Sequence, residues 1–199
     1  MTITRITPAD FVTSQWSGGA TMQLAIAPAG AVYADRDFLW RLSSATVELE
    51  ESDFTPLPDY RRYISTLQGA IQVAHDGEEA ISLAPYTVHA FDGGAATKSW
   101  GRCVDFNLML RKGRCDGSLT AVHLAEDACV TVPRAFAEGP EHTLLVYCGQ
   151  GGGVLRAGEE TLSFAQGEAV LVARPEGQLT LKSSGISAFM VAEMRGTQG

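Results

Sequence analysis

The sequence is short of positive charge, and this shortage excludes one class of partner. It contains 15 Lys and Arg residues against 23 Asp and Glu residues, which gives a net charge of −8 at pH 7. A protein that binds nucleic acid needs a basic surface to meet the phosphates. The charge therefore argues against DNA, RNA and anionic membranes as partners.

Long apolar runs and closely spaced cysteines are also missing. No apolar stretch approaches the roughly 20 residues that a membrane-spanning helix needs, and residues 1–10 carry no apolar signal-peptide core. The four cysteines are widely spaced and form no Cys-x-x-Cys pair, so we expect neither disulfide bonds nor a structural zinc site. We predict a cytoplasmic protein with reduced thiols.

Histidine is scarce as well, and this argues against a metal centre. There are four histidines, and no two of them stand two residues apart, the spacing that aims two imidazoles from one strand into one site. The sequence also lacks a Gly-x-Ser-x-Gly nucleophile elbow, a phosphate-binding loop and a dinucleotide-binding glycine motif. We therefore predict no metal, no cofactor and no catalytic residue, while the enzyme question stays open.

What the sequence does contain is a series of short apolar segments divided by 21 Gly and 8 Pro residues. Segments such as residues 70–74 and 87–91 each run into a turn that contains Asp and Gly. Strands of about five residues between such turns are typical of an all-β sandwich or barrel. No segment has the pattern of a long helix, so an all-β fold is predicted.

The second half of the sequence repeats the first. Residues 77–84 (GEEAISLA) match residues 158–165 (GEETLSFA) at five of eight positions, and flanking segments match in the same order. The rhythm of short strands and Gly-Glu turns resembles that of a cupin half-barrel. We predict a bicupin, that is, two stacked cupin-like β-barrels. Residues 1–113 form the first barrel, with N-terminal strands and a pocket, and residues 114–199 form a second, degenerate barrel.

Polar residues on two predicted strands mark the candidate pocket. In residues 38–47, strand alternation puts Arg41 and Ser43 on one face and Trp40 on the other. In residues 101–111, Asp105 and Asn107 share a face. A buried Arg is normally paired or faces a ligand, because an unpaired buried charge is costly. The alternative for Arg41 is an internal salt bridge with Asp105.

The internal repeat distinguishes the two barrels. We align Asp105 with Ala188 and Asn107 with Met190, so the polar pair of the first half has no counterpart in the second. The alignment predicts a polar pocket in the first barrel and a filled structural partner in the second.

Further candidates come from single residues around that pocket. Arg61, at the start of a predicted strand, offers a guanidinium fork for a carboxylate, and Phe91 and Trp40 would form walls. Gly18 and Gly19 follow a Trp and let the backbone approach a neighbour closely. Their backbone N–H groups either line the pocket mouth or mark a tight crossing of the N-terminal strand.

These stretches resemble the HutD/Ves family of bicupin proteins. The matching segments are WSGGAT at 16–21, FLWRLSSA at 38–45, DFTPLPDYR at 53–61 and DFNLM at 105–109. The family has Asn where Ser17 stands and Gly where Ala20 stands, and these changes affect the predicted pocket mouth. The resemblance implies a cytoplasmic bicupin that is linked with histidine utilisation and binds a small metabolite such as N-formylglutamate.

We therefore predict a non-catalytic bicupin that binds a small carboxylate and modulates histidine utilisation or a stress response. The predicted ligand contacts are Arg61, Arg41, Asn107, Asp105, Trp40, Ser43, Phe91, Gly18 and Gly19. Two alternatives stay open. One is a metal-independent isomerase or hydrolase with Asp105 as general base, and the other is a protein-interaction module, a homodimer included.

Overall fold

A computed structural model describes residues 1–197, which consist mostly of β-strands and form two compact units. The first unit is Phe11–Cys115. The second unit combines Met1–Asp10 with the described residues from Asp116 on. The predicted all-β class is confirmed. Gln198 and Gly199, which the sequence prediction placed in the second barrel, lie outside the described residues.

Eleven strands lie in the N-terminal part of the chain. In chain order they are β1 (Thr2–Ile6), β2 (Val12–Trp16), β3 (Gly19–Ala27), β4 (Trp40–Val47), β5 (Glu51–Asp53), β6 (Tyr60–Gln68), β7 (Ile71–His75), β8 (Ile81–Leu83), β9 (His89–Asp92), β10 (Thr97–Trp100) and β11 (Cys103–Arg111). Two 3-10 helices, Pro8–Asp10 and Tyr33–Asp35, are the helical segments of residues 1–197, and neither has the length to cross a membrane. The first unit contains a six-stranded sheet, β2-β3-β4-β11-β6-β9, and a four-stranded sheet, β5-β10-β7-β8.

Eight strands follow in the remainder of the described chain. They are β12 (Cys115–Leu124), β13 (Cys129–Thr131), β14 (His142–Gln150), β15 (Gly152–Ala157), β16 (Glu160–Ala165), β17 (Ala169–Ala173), β18 (Leu179–Ser183) and β19 (Ser187–Gly196). The second unit contains a five-stranded sheet, β1-β17-β14-β19-β12, and a four-stranded sheet, β13-β18-β15-β16.

Strand β1 corrects the predicted boundary of the first barrel. The sequence prediction assigned residues 1–10 to the first barrel, but β1 pairs antiparallel with β17 of the second unit. The physical reason is burial, because Met1 and Ile3 pack against the apolar core of the second unit. Sequence order alone does not show which sheet edge receives an N-terminal strand.

The two units share one strand order. The order β4-β11-β6-β9 in the first unit corresponds to β12-β19-β14-β17 in the second, and β5-β10-β7-β8 corresponds to β13-β18-β15-β16. The repeated GEE turns at residues 77 and 158 lie in corresponding hairpins, between β7 and β8 and between β15 and β16. The topology therefore agrees with the internal repeat of the sequence. That each unit is a cupin barrel stays a prediction.

Two β-bulges correct the alignment of the repeat by one residue. A bulge interrupts the pairing of β6 with β11 just before Asp105, and a bulge interrupts the pairing of β14 with β19 just before Phe189. Asp105 therefore corresponds to Phe189 and not to Ala188. By the same shift, Asn107 corresponds to Val191.

Phe189 fills the interior of the second unit at the position that Asp105 has in the first. Its side chain is fully buried in an apolar core that includes Leu144 and Val191. The backbone of Gly153 passes so close that a Cβ atom there would lie 2.8 Å from the Phe189 ring. Glycine at position 153 therefore makes room for the phenyl ring.

We expect Phe189→Ala to lower the free energy of unfolding by about 3–5 kcal/mol, since it leaves a cavity in a closely packed core. Urea unfolding followed by circular dichroism measures this loss. Phe136→Ala, which truncates a half-buried ring of the same unit, is the matched control and should cost clearly less. Equal losses for the two variants would contradict the central role of Phe189 in the core.

Candidate functional site

The first unit contains a cavity with a volume of about 330 Å³. Its polar wall is formed by Arg41, Ser43, Arg62, Asp105 and Asn107, and its apolar wall includes Trp16, Tyr33, Phe54, Val47 and Met109. A cavity with an apolar wall and a few converging polar groups is the usual form of a small-molecule site.

The register of three neighbouring strands brings the polar residues together. Met109 on β11 lies opposite Arg41 on β4 and opposite Arg62 on β6. Because side chains alternate along a strand, Asp105 and Asn107 face the same side as Met109. The central strand thus presents a carboxylate and an amide, and each flanking strand adds a guanidinium group.

Arg41 is held at the wall by neutral partners. Its Nε donates to Oε1 of Gln23 over 2.7 Å, and its Nη1 donates to Oγ of Ser43 over 3.1 Å. Its Cζ lies 4.2 Å from the centroid of the Tyr33 ring, a cation–π contact. Within residues 1–197, no carboxylate lies within 4.0 Å of its guanidinium nitrogens. The alternative salt bridge between Arg41 and Asp105 is therefore not formed.

Arg62 is buried with even fewer partners. Its Nη1 reaches the carbonyl oxygen of Thr55 at 3.4 Å, and its buried Nε has no hydrogen-bond partner in the described chain. The guanidinium group lies against two aromatic rings, with Cζ 5.0 Å from the Phe54 centroid and 5.2 Å from the Phe91 centroid. Burial lowers the pKa of Arg62 to about 10, so the group still carries a positive charge at neutral pH.

Asp105 is buried on the strand between the two arginines. Its Oδ1 accepts a hydrogen bond from the backbone N–H of Ala45 at 2.8 Å. Burial raises the pKa of Asp105 to about 6, against the opposing effects of that hydrogen bond and of Arg62 and Arg41. The carboxyl group therefore titrates close to neutral pH, and its charged form is the one that burial disfavours.

Two further polar atoms of the wall are buried without a partner among the described residues, namely Oδ1 of Asn107 and Oγ of Ser52. Buried polar groups in folded proteins are nearly always hydrogen-bonded. Together with Nε of Arg62, these atoms leave both donors and acceptors unmet on one cavity wall. Such a wall complements a small molecule that carries an anionic group and a hydrogen-bond donor.

The predicted contacts differ in where the structure places them. Arg41, Ser43, Asp105 and Asn107 come together at the cavity wall. Trp40 is buried but is not part of that wall, because its side chain alternates with that of Arg41. That the four wall residues contact a ligand stays a prediction.

Gly18, Gly19 and Phe91 also lie outside the cavity wall. Gly19 begins β3 and pairs with Val47 of β4, so closely that a Cβ atom would collide with the carbonyl oxygen of Thr46. In place of the tight strand crossing that the sequence offered as the alternative, the two glycines lie in the hairpin between β2 and β3, and β3 pairs with β4 in the same sheet. Phe91 is buried and acts one layer behind the wall, since its ring supports Arg62.

Arg61 is exposed and lies outside the cavity wall, and its neighbour Arg62 occupies the position predicted for it. The two side chains alternate on β6, so a shift of one residue exchanges them. The signal that identifies Arg62 is its shared face with the fully buried Ile64. The signal is weak in the sequence because Leu67, on the face of Arg61, is apolar as well.

The second unit contains a buried polar cluster that the sequence did not reveal. His142 Nε2 lies 2.7 Å from Oε1 of Glu193, and Arg134 Nη2 lies 3.3 Å from Nδ1 of His142. Oε2 of Glu193 accepts a hydrogen bond from the backbone N–H of Ala135. These contacts tie the segment before β14 to Glu193 of β19, and Nε of Arg134 is buried without a hydrogen-bond partner among the described residues.

The comparisons with known proteins agree on one fold. The HutD family model matches residues 8–190. A conserved protein of unknown function from Pseudomonas aeruginosa PAO1, PA5104, is 22% identical, with a TM-score of 0.82, and the match covers 98% of this chain and 100% of that one. HutD from Pseudomonas fluorescens SBW25 is 23% identical, with a TM-score of 0.76 and coverage of 99% and 100%. No curated protein matches the sequence.

A more distant structure raises the question of a metal. The nickel(II) complex of the pirin YhhW from Escherichia coli, which has a cupin-like fold, is 7% identical, with a TM-score of 0.71 and coverage of 98% and 100%. In the described part of the present chain, no group of three or more His, Cys, Asp or Glu side chains could hold a metal ion. The residues of the cavity wall, two arginines and an amide among them, do not fit a metal site.

We expect Asp105→Asn to raise the free energy of unfolding at pH 8 by about 1–3 kcal/mol. The folded-state pKa of about 6 lies above the ordinary value of 3.8, so the ionised carboxylate destabilises the fold above pH 6, and this effect disappears as the pH falls towards 4. Urea unfolding at pH 8 and pH 4 measures the difference, which should be small at pH 4.

Asp53→Asn is the matched control, because Asp53 lies at the same cavity but its side chain is exposed. It should change the free energy of unfolding by less than about 0.5 kcal/mol at either pH. A gain for Asp105→Asn of equal size at both pH values would contradict the assigned titration.

Proposed function

Because the chain belongs to the HutD family, we propose that it binds a small carboxylate metabolite, with N-formylglutamate as the specific candidate, and thereby modulates histidine utilisation. The observation that carries this proposal is the guanidinium group of Arg62, which is buried at the cavity wall without a carboxylate partner. We place this binding in the cytoplasm and without a catalytic step.

The charges at the wall favour an anionic ligand. Arg41 and Arg62 contribute two positive charges, and Asp105 contributes one negative charge in its ionised form. A guanidinium group binds a carboxylate through two parallel hydrogen bonds. A bound carboxylate would therefore supply the counter-ion and the hydrogen-bond acceptors that Arg62 lacks within the protein.

The acceptors at the wall favour a ligand that also donates a hydrogen bond. Oδ1 of Asn107 is buried without a partner, and Asp105 adds a carboxylate on the same face of β11. An amide N–H next to a carboxylate, as in N-formylglutamate, would match these acceptors. The cavity volume of about 330 Å³ fits a ligand of that size, and the rings of Trp16 and Phe54 would cover its apolar part.

The two units are, in this proposal, the halves of a bicupin. The shared strand order of the units supports it, and so does the likeness to cupin-like structures. In this arrangement the first unit keeps the ligand site, and the second is a filled partner whose interior holds Phe189 where the first unit holds Asp105.

Calorimetry with N-formylglutamate, glutamate and urocanate tests the binding function. We expect Arg62→Gln to weaken binding of the preferred ligand at least tenfold, since hydrogen bonds to a charged group contribute about 1.5–3 kcal/mol. Arg61→Gln, one residue away on the exposed face of the same strand, should leave the affinity unchanged. Equal effects of the two variants, or no binding of any of the three compounds, would contradict the proposal.

A second candidate function is catalysis by Asp105, and one observation favours it. Its pKa of about 6 is close to the value that suits a general base at neutral pH. Incubating the protein with each of the three compounds and following them by proton NMR tests this candidate. Conversion by the wild type that Asp105→Asn abolishes would replace the binding function with an enzymatic one.

A further inference from the structure

We propose that His75 and His89 form a proton-sharing pair that positions Phe91 under Arg62, so that protonation of both rings weakens carboxylate binding in the first unit. The effect on binding rests on the proposed function, whereas the pair itself does not. Neither histidine belongs to the cavity wall, so both would act as positioning residues.

The geometry of the two rings allows one proton between them. The two Nε2 atoms are 2.8 Å apart, the ring planes differ by 21°, and the ring centroids are 5.1 Å apart. These values describe two imidazoles that meet end to end. A metal ion binds an imidazole nitrogen at about 2.0–2.1 Å and, on the line between them, would hold two nitrogens about 4 Å apart. The observed separation leaves room for a shared proton only.

A third side chain orients the pair. Oγ1 of Thr97 donates to the carbonyl oxygen of Ala95 over 3.2 Å and lies 2.8 Å from Nδ1 of His75. Because a hydroxyl group has a single proton, Thr97 accepts a hydrogen bond from Nδ1–H of His75. Nε2 of His75 is then the acceptor, and Nε2–H of His89 is the donor. Both imidazoles are neutral in this arrangement.

Protonation of both rings would break the arrangement, whereas a single added proton leaves the hydrogen bond between the two Nε2 atoms in place. With both rings protonated, two N–H groups and two positive charges would face each other across 2.8 Å, so one ring must turn away. Burial lowers the pKa of both histidines, with His75 itself adding to the effect on His89. At His75, Asp76 and Glu78 oppose this shift and Arg62 adds to it. The pair is therefore neutral at pH 7, and because a first added proton disfavours the next one, both rings become protonated only at a pH below the ordinary histidine range.

One aromatic ring connects the pair to the ligand site. His75 stacks on Phe91 with centroids 4.7 Å apart, and Cζ of Arg62 lies 5.2 Å from the same ring. Phe91 stands opposite Arg62 in the pairing of β9 with β6, and His89 stands opposite Ile64. Opening the pair would remove the ring that packs against Phe91 and, with it, the support of a guanidinium group that has few hydrogen bonds of its own.

Nitrogen-15 NMR of the histidine rings in the full chain, without any ligand, tests the pair directly. We expect the proton on Nδ1 in His75 and on Nε2 in His89 at pH 7.5. On acidification, the Arg62 Nε–H signal should shift together with the histidine signals in the wild type, and His89→Gln should keep only the part of that shift that follows the titration of Asp105. Two histidines that titrate independently near pH 6.5, or an Arg62 signal indifferent to them, would overturn the proposal.

Calorimetry with N-formylglutamate between pH 7.5 and pH 5 tests the effect on binding. We expect the affinity of the wild type to fall by about tenfold per pH unit below the pKa of the pair, the slope for one proton released on binding. His89→Gln should remove that component, and His123→Gln, an exposed histidine of the second unit, should retain it. The contribution of Asp105 is common to all three proteins and cancels in the comparison.

The failures of the two proposals can be told apart. Binding at pH 7.5 with parallel pH profiles for the wild type and His89→Gln would overturn the role of the pair and leave the carboxylate site intact. No binding of N-formylglutamate at any pH would count against the proposed ligand, and the ligand-free NMR measurement would then decide on the pair alone.

Discussion

A positive charge that the fold buries without neutralising it is the constraint on which the first unit depends. The guanidinium group of Arg62 has a long contact to one carbonyl oxygen and two aromatic rings in place of a carboxylate. Such a charge is costly, and strand β6 holds it because Ile64, on the same face, anchors the strand in the core. Arg41 and Asp105 occupy the two strands that follow in the sheet, so the cavity is organised around one unbalanced charge.

Stability and site chemistry oppose each other on this face of the sheet. Burial disfavours the charged forms of both Asp105 and Arg62, as the directions of their pKa shifts indicate. Neither group forms an ion pair within 4.0 Å in residues 1–197. Polar groups that are fixed in place before a ligand binds lose little entropy on binding. The cost of holding them in place is a lower free energy of unfolding.

Strand alternation predicts from the sequence which polar residues share a face of a strand. It does not predict which of the two faces of a strand points into the cavity, because that depends on the register. The spacing of Asp105 and Asn107 and that of Arg41 and Ser43 suffices to put each pair on one face. The choice between Arg61 and its neighbour depends on a one-residue register that apolar residues on both faces leave undetermined. Contacts between strands of different sheets, such as the meeting of two histidines from β7 and β9, leave no local signal at all.

The phenyl ring of Phe189 makes the two units of the chain differ in whether their interior is filled. In the second unit, the position that corresponds to Asp105 is occupied by an apolar group that is covalently attached and always present. The ring is in effect a permanent internal ligand, with no concentration dependence and no loss of translational freedom on binding. One unit thereby has a permanently filled interior, and sequence change around the cavity of the other unit can proceed against that stable background.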